Sequence, residues 1–259
     1  MSIQFENKPG LVIYFTAGDP DLATTRDMAI AAIDAGADVI ELGVPFSDPL
    51  ADGPVIQRAS ERAVAKGTRL TDVLGTCREI RDARPNAGII LFSYLNPVVR
   101  FGMAAFAKAA KAAGADGVLL TDMIVEEAGE YLAAMRENDL APVFLAAPTS
   151  PDERLKAIAE HSRGFVYAIS RVGITGTQTE LAADAESLVK RLKQFAQIPV
   201  ALGFGISTPE HVKTVAGFAD AAVVGSAIVA LVEKTPTAEA AKAVGDFVRS
   251  LKTGGQPSF

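Results

Sequence analysis

A glutamate, Glu41, interrupts the apolar run ADVIELGV near its C-terminal end. An unpaired carboxylate in such a place costs several kcal/mol of desolvation unless it is hydrogen-bonded or takes up a proton. Asp48 and Asp52 follow in the loop GVPFSDPLADGP, whose prolines and glycines make a stiff, irregular connection. A buried glutamate with an aspartate close behind it could give and take protons at a small molecule. The alternative for Glu41 is a side chain turned outward into a salt bridge. For the two aspartates it is turn formation, which Asp supports before Gly or Pro.

A second group of residues has the character of a phosphate site. GFGIS (Gly203 to Ser207, with Phe204 and Gly205) runs into a helix start at Thr208-Pro209-Glu210, and Gly225-Ser226 ends the last apolar run. Backbone N–H groups at a helix N-terminus, with a serine hydroxyl, hold a dianion without any lysine. Gly173-Ile174-Thr175-Gly176 adds a third glycine loop in SRVGITGTQTEL, long enough to act as a lid or to be a plain surface loop. Glycines needed only for tight turns are the alternative throughout.

Other chemistries lose their key residue. Every lysine falls on a predicted helix or away from a strand end, which removes Schiff-base catalysis. His161 and His211 both read as solvated helix residues, so histidine bases, Ser/His/Asp triads and histidine-held metals are excluded. The single cysteine, Cys77, lies within helical TDVLGTCREIRDAR and reads as packing. A net charge of −6 argues against a nucleic-acid partner. No apolar run reaches the roughly 18 residues of a membrane span. The polar start MSIQFENKPG and lone cysteine suit the cytoplasm. No metal or cofactor is called for.

These residues need a scaffold that brings strand ends together. Eight β-rich runs, beginning at Leu11, Ala37, Gly88, Asp116, Ala141, Gly164, Pro199 and Ala221, alternate with helical segments. The 259 residues divide into about 32 per unit, the size of a βα repeat, which favours a single (β/α)8 barrel over residues 1–259 rather than a doubly wound open sheet. DAGADVIELG, AAGADGVLLTD and AGFADAAVVGS repeat one helix-end-to-strand pattern. In a barrel, chemistry sits where strands end, as Glu41, Asp52, Gly205 and Gly225 do. The tail from 253 to 259 is expected to fray.

With ELGVPFSDPLADGP, YFTAGDP, YAISRVGITG, GFGIS and GSAIV in place, the chain resembles, over essentially its whole length, the tryptophan synthase alpha subunit family. The resemblance implies retro-aldol cleavage of indole-3-glycerol phosphate to indole and glyceraldehyde 3-phosphate, in tryptophan biosynthesis. It implies Glu41 as the catalytic glutamate and Asp52 as its partner, with Tyr167 and Thr175 lining or closing the site. Gly176, Gly205, Gly225 and Ser226 match the phosphate site, while Tyr14, Phe92, Leu119, Leu145 and Phe204 match the indole pocket. It also implies a pyridoxal-phosphate-dependent beta subunit as partner in an alpha2beta2 assembly. A stand-alone lyase, a chiefly regulatory subunit and another phosphate-binding barrel remain as alternatives. Three departures stand out: only a short segment precedes the first strand, where the family carries a helix under the barrel, TDMIVEE around Asp122 lacks the usual prolines, and the stretch before Gly225 is one residue short.

Overall fold

The computed structural model describes residues 3, 5, 8–169, 178–203 and 205–254, the stretch 178–182 by its backbone alone. The strands are β1 (Gly10–Thr16), β2 (Val39–Gly43), β3 (Gly88–Ser93), β4 (Gly117–Leu120), β5 (Ala141–Val143), β6 (Leu145–Ala146), β7 (Val166–Ile169), β8 (Val200–Gly203) and β9 (Ala221–Val224). The helices are α1 (Leu22–Asp34), α2 (Pro54–Ala65), α3 (Leu70–Ala83), α4 (Leu95–Phe101), α5 (Met103–Ala112), α6 (Gly129–Glu137), α7 (Asp152–His161), α8 (Gln178–Leu192), α9 (Pro209–Ala216), α10 (Ser226–Lys234) and α11 (Thr237–Thr253). All pairings are parallel, in the order β5-β4-β3-β2-β1-β9-β8-β7-β6. Because β5 and β6 are successive pieces of one segment, the order describes a ring, the barrel expected from the repeat.

The fifth expected strand is therefore two. Its first piece pairs with β4 and its second with β7, and the change of partner falls at Phe144. The Phe144 ring turns out of the barrel onto Tyr131 of α6, edge to face at 5.6 Å. Pro142 shortens the ladder further because it has no N–H to give. The circle still closes, since Tyr167 N–H donates to the Phe144 carbonyl at 3.1 Å and Arg163 N–H to that of Pro142 at 2.8 Å.

Alternation along each strand sorts side chains into two cores. Leu11, Ile13 and Phe15, Ile40 and Leu42, Ile89 and Leu91 face the helices, while Val12, Val39, Ile90, Leu119, Val143, Phe165, Ala201, Ala221 and Val223 fill the barrel. Ile3 and Phe5 pack into that inner core from below, with the Phe5 and Phe165 rings 5.9 Å apart. These two apolar side chains occupy the barrel floor.

The repeated pattern has a single structural meaning. Asp38, Asp116 and Asp220 each accept, through Oδ2, the N–H of a residue opening the preceding strand: Leu11 at 2.8 Å, Ile89 at 2.9 Å and Val200 at 3.0 Å. Each aspartate's own N–H returns to the carbonyl of that same residue, and each aspartate carbonyl takes an N–H from the following strand, at Gly88, Ala141 and Gly10. One residue thus staples three strands at the N-terminal rim, where a barrel invests in stability rather than chemistry. At the C-terminus, Thr253 completes α11 and Gly254 caps it with φ +72.

Candidate active site

Glu41 faces inward. Val39 and Gly43 flank it at the same parity, Val39 within the barrel core and Gly43 beneath the Tyr14 hydroxyl. The carboxyl group is wholly buried, and neither oxygen has a hydrogen-bond partner among the described residues. This rules out the outward salt bridge. With nothing to stabilise the anion, burial pushes the Glu41 pKa up to about 8, so the group is a neutral acid at pH 7.

Tyr14 on β1 lies in register with Glu41, edge to face with Phe92 at 5.1 Å, and its hydroxyl is 3.3 Å from Thr16 Oγ1. Tyr167 on β7 is half-buried and pairs with Leu145 across the ladder. A Cβ on Gly43 would run into the Tyr14 hydroxyl, and one on Gly203 into that of Tyr167, so both strand ends need glycine to admit the rings. Burial, then the neighbouring carboxylates, hold both phenols well above their usual range. Leu119 is buried in the same barrel core, which Phe92 and Leu145 adjoin. The five expected pocket residues Tyr14, Phe92, Leu119, Leu145 and Tyr167 thus share the barrel interior with Glu41. Thr175, Gly176 and Phe204 lie outside the described residues.

Asp52 is not spent on its turn. Its N–H donates to the Pro49 carbonyl at 3.1 Å, whereas its carboxylate takes the hydroxyl of Tyr94 at 3.0 Å. Tyr94 in turn accepts the N–H of Ala51 at 3.0 Å, and its ring lies tilted on Phe46 at 5.3 Å. Burial raises the Asp52 pKa to about 6, against the lowering effect of the Tyr94 bond. Asp48 is exposed and contributes its carbonyl to Leu50 N–H.

Sequence reasoning missed Tyr94, which lies in GIILFSYL, the β-rich run that begins at Gly88. The structure makes it the residue before α4, directly after β3, and a hydroxyl at a strand end was the signal available. Asp122, from the altered TDMIVEE stretch, accepts the N–H of Leu95 at 2.7 Å and so caps α4 beside Tyr94.

The two helix starts near the glycines differ. At α9 the Thr208 side chain already accepts the N–H of His211, at 3.3 Å. At α10 Gly225 supplies no side-chain cap, and Ser226 opens the helix exposed, leaving the first-turn N–H groups free for an anion. Gly205 is exposed with φ +74, a conformation that favours glycine. Among the described residues, then, α9 has a side-chain cap and α10 has none.

His161 ends α7 exposed, and His211 accepts the Ser207 N–H at 3.3 Å. Cys77 is buried in α3, and burial pushes its thiol up to about 12, far from a thiolate. Among the described residues no group of His, Cys, Asp and Glu is arranged to hold a metal.

Comparison with known proteins agrees with this geometry. The family model described as tryptophan synthase alpha chain matches residues 1–254. The tryptophan synthase alpha chain of Solibacter usitatus is 48% identical over 250 residues, covering 96% of this chain and 93% of the relative. That of Geobacter sulfurreducens is 45% identical, covering 96% and 94%. Among solved structures, tryptophan synthase subunit alpha from Legionella pneumophila superposes with a TM-score of 0.87 at 36% identity, over 94% of this chain and 91% of that one. The tryptophan synthase complex from Pyrococcus furiosus gives a TM-score of 0.85 at 38% identity, over 95% and 98%. On sequence and fold together, the chain belongs to the tryptophan synthase alpha chain family.

Proposed function

We propose that Glu41 and Asp52 perform the retro-aldol cleavage of indole-3-glycerol phosphate to indole and glyceraldehyde 3-phosphate, the alpha reaction of tryptophan synthase. This is carbon–carbon lyase chemistry within tryptophan biosynthesis. The observation that carries the assignment is Glu41: a carboxyl group buried inside the barrel, without a hydrogen-bond partner among the described residues, and neutral at pH 7.

Cleavage needs a proton on indole C3, so that the ring becomes an electron-accepting indolenine, and the loss of a proton from the C3′ hydroxyl. Glu41 gives the first from its neutral form and, as the resulting carboxylate, takes the second. The C3–C3′ bond breaks, its electrons return to the ring, the C3′ carbon becomes the aldehyde, and Glu41 ends as it began. Asp52 accepts the indole N–H and balances the positive charge that grows on the ring. Its pKa of about 6 leaves it largely ionised at pH 7 while Glu41 is not. Two carboxyls with separated pKa values divide the acid and counter-charge roles.

Tyr14, Phe92, Leu119, Leu145 and Tyr167, with Phe204, would enclose the indole ring. Gly176, Gly205, Gly225 and Ser226 would hold the phosphate against α10, and Thr175 would close over the substrate. The beta subunit that receives indole would dock on the face where Leu50, Val99 and Ile124 are exposed, which belongs to the connections after β2, β3 and β4. Large apolar side chains exposed on three successive strand-end connections are the support for that placement. An alpha2beta2 assembly in the cytoplasm completes the reading, with residues 1–259 as one barrel domain. Among the described residues no helix is long and apolar enough to cross a membrane.

The test is indole release from indole-3-glycerol phosphate by the purified chain, with and without a tryptophan synthase beta subunit. Release that rises with the partner is expected. Release unaffected by the partner points to a stand-alone lyase, and no release in either case overturns the assignment.

A further inference from the structure

Arg62 of α2 binds two carboxylates on two other segments of the chain. Its Nε and Nη2 grip both oxygens of Asp19, at 2.9 and 2.7 Å, in the connection after β1, and Asp19 is 6% exposed. Its Nη1 reaches Glu233, in the last turn of α10, at 2.8 Å. Arg58, one turn earlier on α2, closes on the same carboxylate with two bonds of 3.0 and 2.9 Å. The two guanidinium groups hold Glu233 down to about 2, so it stays ionised throughout the working range.

The location gives this cluster its meaning. Helix α2 starts at Pro54, two residues after Asp52, and α10 starts at Ser226, at the phosphate site. The helices meet over Tyr14 through Ala59 and Val229. An apolar contact between two small side chains is a pivot: it fixes the separation but leaves the angle soft. Arg62 lies three residues beyond Ala59, and Glu233 four beyond Val229, so the ion cluster fixes the two helices a turn away from the pivot. The angle it sets determines where each helix start points. The grip on Asp19 ties both to β1, which carries Tyr14.

We infer that Arg62 is a positioning residue that sets the spacing between the Asp52 loop and the phosphate-binding start of α10, so that a phosphate bound at one end favours the productive place of Asp52 at the other. This rests on the lyase reading and adds a residue to it that touches no substrate. Directional, bidentate guanidinium–carboxylate bonds suit the task better than a lysine, whose single ammonium cannot hold two carboxylates in fixed planes.

The experiment compares Arg62→Met, Arg62→Lys and Glu233→Gln with the parent in the full-length chain. It measures kcat and KM for indole-3-glycerol phosphate, affinity for glycerol 3-phosphate by calorimetry, and thermal unfolding. Arg62→Met should lower kcat about tenfold and weaken glycerol 3-phosphate about fivefold or more, at a temperature where the variant is fully folded. Arg62→Lys should restore folding stability but not kcat. Glu233→Gln leaves the buried Asp19 pair intact and should weaken glycerol 3-phosphate while changing stability little. A purely structural clamp predicts lower unfolding temperatures with kcat, KM and phosphate affinity within about twofold of the parent. That result, or unchanged glycerol 3-phosphate affinity in Glu233→Gln, overturns the inference. A parent chain that binds glycerol 3-phosphate yet releases no indole, with or without a beta subunit, overturns the lyase reading instead and leaves the phosphate-binding comparison standing.

Discussion

Replacing Glu41 by glutamine keeps the shape of the side chain and removes the proton it must deliver. Turnover should fall by about 10²-fold or more while the fold survives, and turnover within about threefold of the parent would take Glu41 out of the mechanism. The same burial has a consequence for stability. The folded pKa of Glu41, about 8, lies above its unfolded value of 4.5, so the folded state holds a proton that the unfolded chain has lost between those values. The protein is then most favoured, as far as this group is concerned, below the unfolded pKa and loses stability as pH rises through 8. Asp52, raised from 3.8 to about 6, acts in the same direction over a lower window. Glutamine has no proton to lose, so the unfolding temperature of Glu41→Gln should gain on the parent between pH 5 and pH 8.5. A constant difference across that range would mean that Glu41 is ionised in the folded state. For catalysis, kcat/KM needs Asp52 ionised and Glu41 protonated, giving a bell with limbs near 6 and 8. Tyr94→Phe removes the hydrogen bond that lowers the Asp52 pKa and should move the acid limb upward, with no shift expected in the alkaline limb.

Among the elements, the aspartate staples show what could be read in advance and what could not. Alternation and glycine punctuation locate eight strand regions, and the repeat around Asp38, Asp116 and Asp220 is visible as a pattern. Its purpose is not, because each carboxylate serves an N–H on the preceding strand, 27 residues back for Asp38 and Asp116 and 20 for Asp220. The break at Phe144 was hidden for a similar reason: ordinary alternation sends Phe144 outward onto Tyr131, but the change of ladder partner from β4 to β7 there depends on strands distant in the sequence. Glu41 was legible because a carboxylate breaks an apolar run locally, whereas Tyr94 was not, its role depending on a loop that folds back from β2. Asp116→Ala tests the staple. It would leave Ile89 N–H without its acceptor and take from Arg81 the carboxylate it binds at 2.6 Å, while Arg81 keeps its bonds to the carbonyls of Gly114, Pro85 and Ala87. A loss of about 2–3 kcal/mol in unfolding free energy is expected, with kcat little changed because the staple sits at the opposite rim from Glu41. A loss under about 0.5 kcal/mol would reduce the motif to a surface contact.

For the whole molecule, the question is how a partner on the outside could act on an acid within. Leu50 is 82% exposed two residues before Asp52, Val99 is 59% exposed on the helix that Tyr94 introduces, and Ile124 is 48% exposed two residues past Asp122, which caps that helix. All three exposed side chains therefore sit on connections that are hydrogen-bonded to one another, through Asp122 to Leu95 and through Tyr94 to Asp52. A beta subunit covering them would favour one arrangement of Asp52, and the gain must be reciprocal: substrate on this chain strengthens the complex by the same factor as the partner strengthens substrate binding, typically 1–3 kcal/mol. Leu50→Ser changes no charge and touches none of the groups assigned to substrate. Alone, the variant should cleave indole-3-glycerol phosphate at the parental rate. Titrated with beta subunit, it should need about tenfold more partner to reach half-maximal activation, since a buried leucine contributes roughly 1.5–3 kcal/mol of apolar contact. Parental titration behaviour in Leu50→Ser would place the partner on another face. A drop in the unassisted rate would show instead that Leu50 shapes the Asp52 loop from within, and that activation by the partner and placement of the acid are separate properties of this barrel.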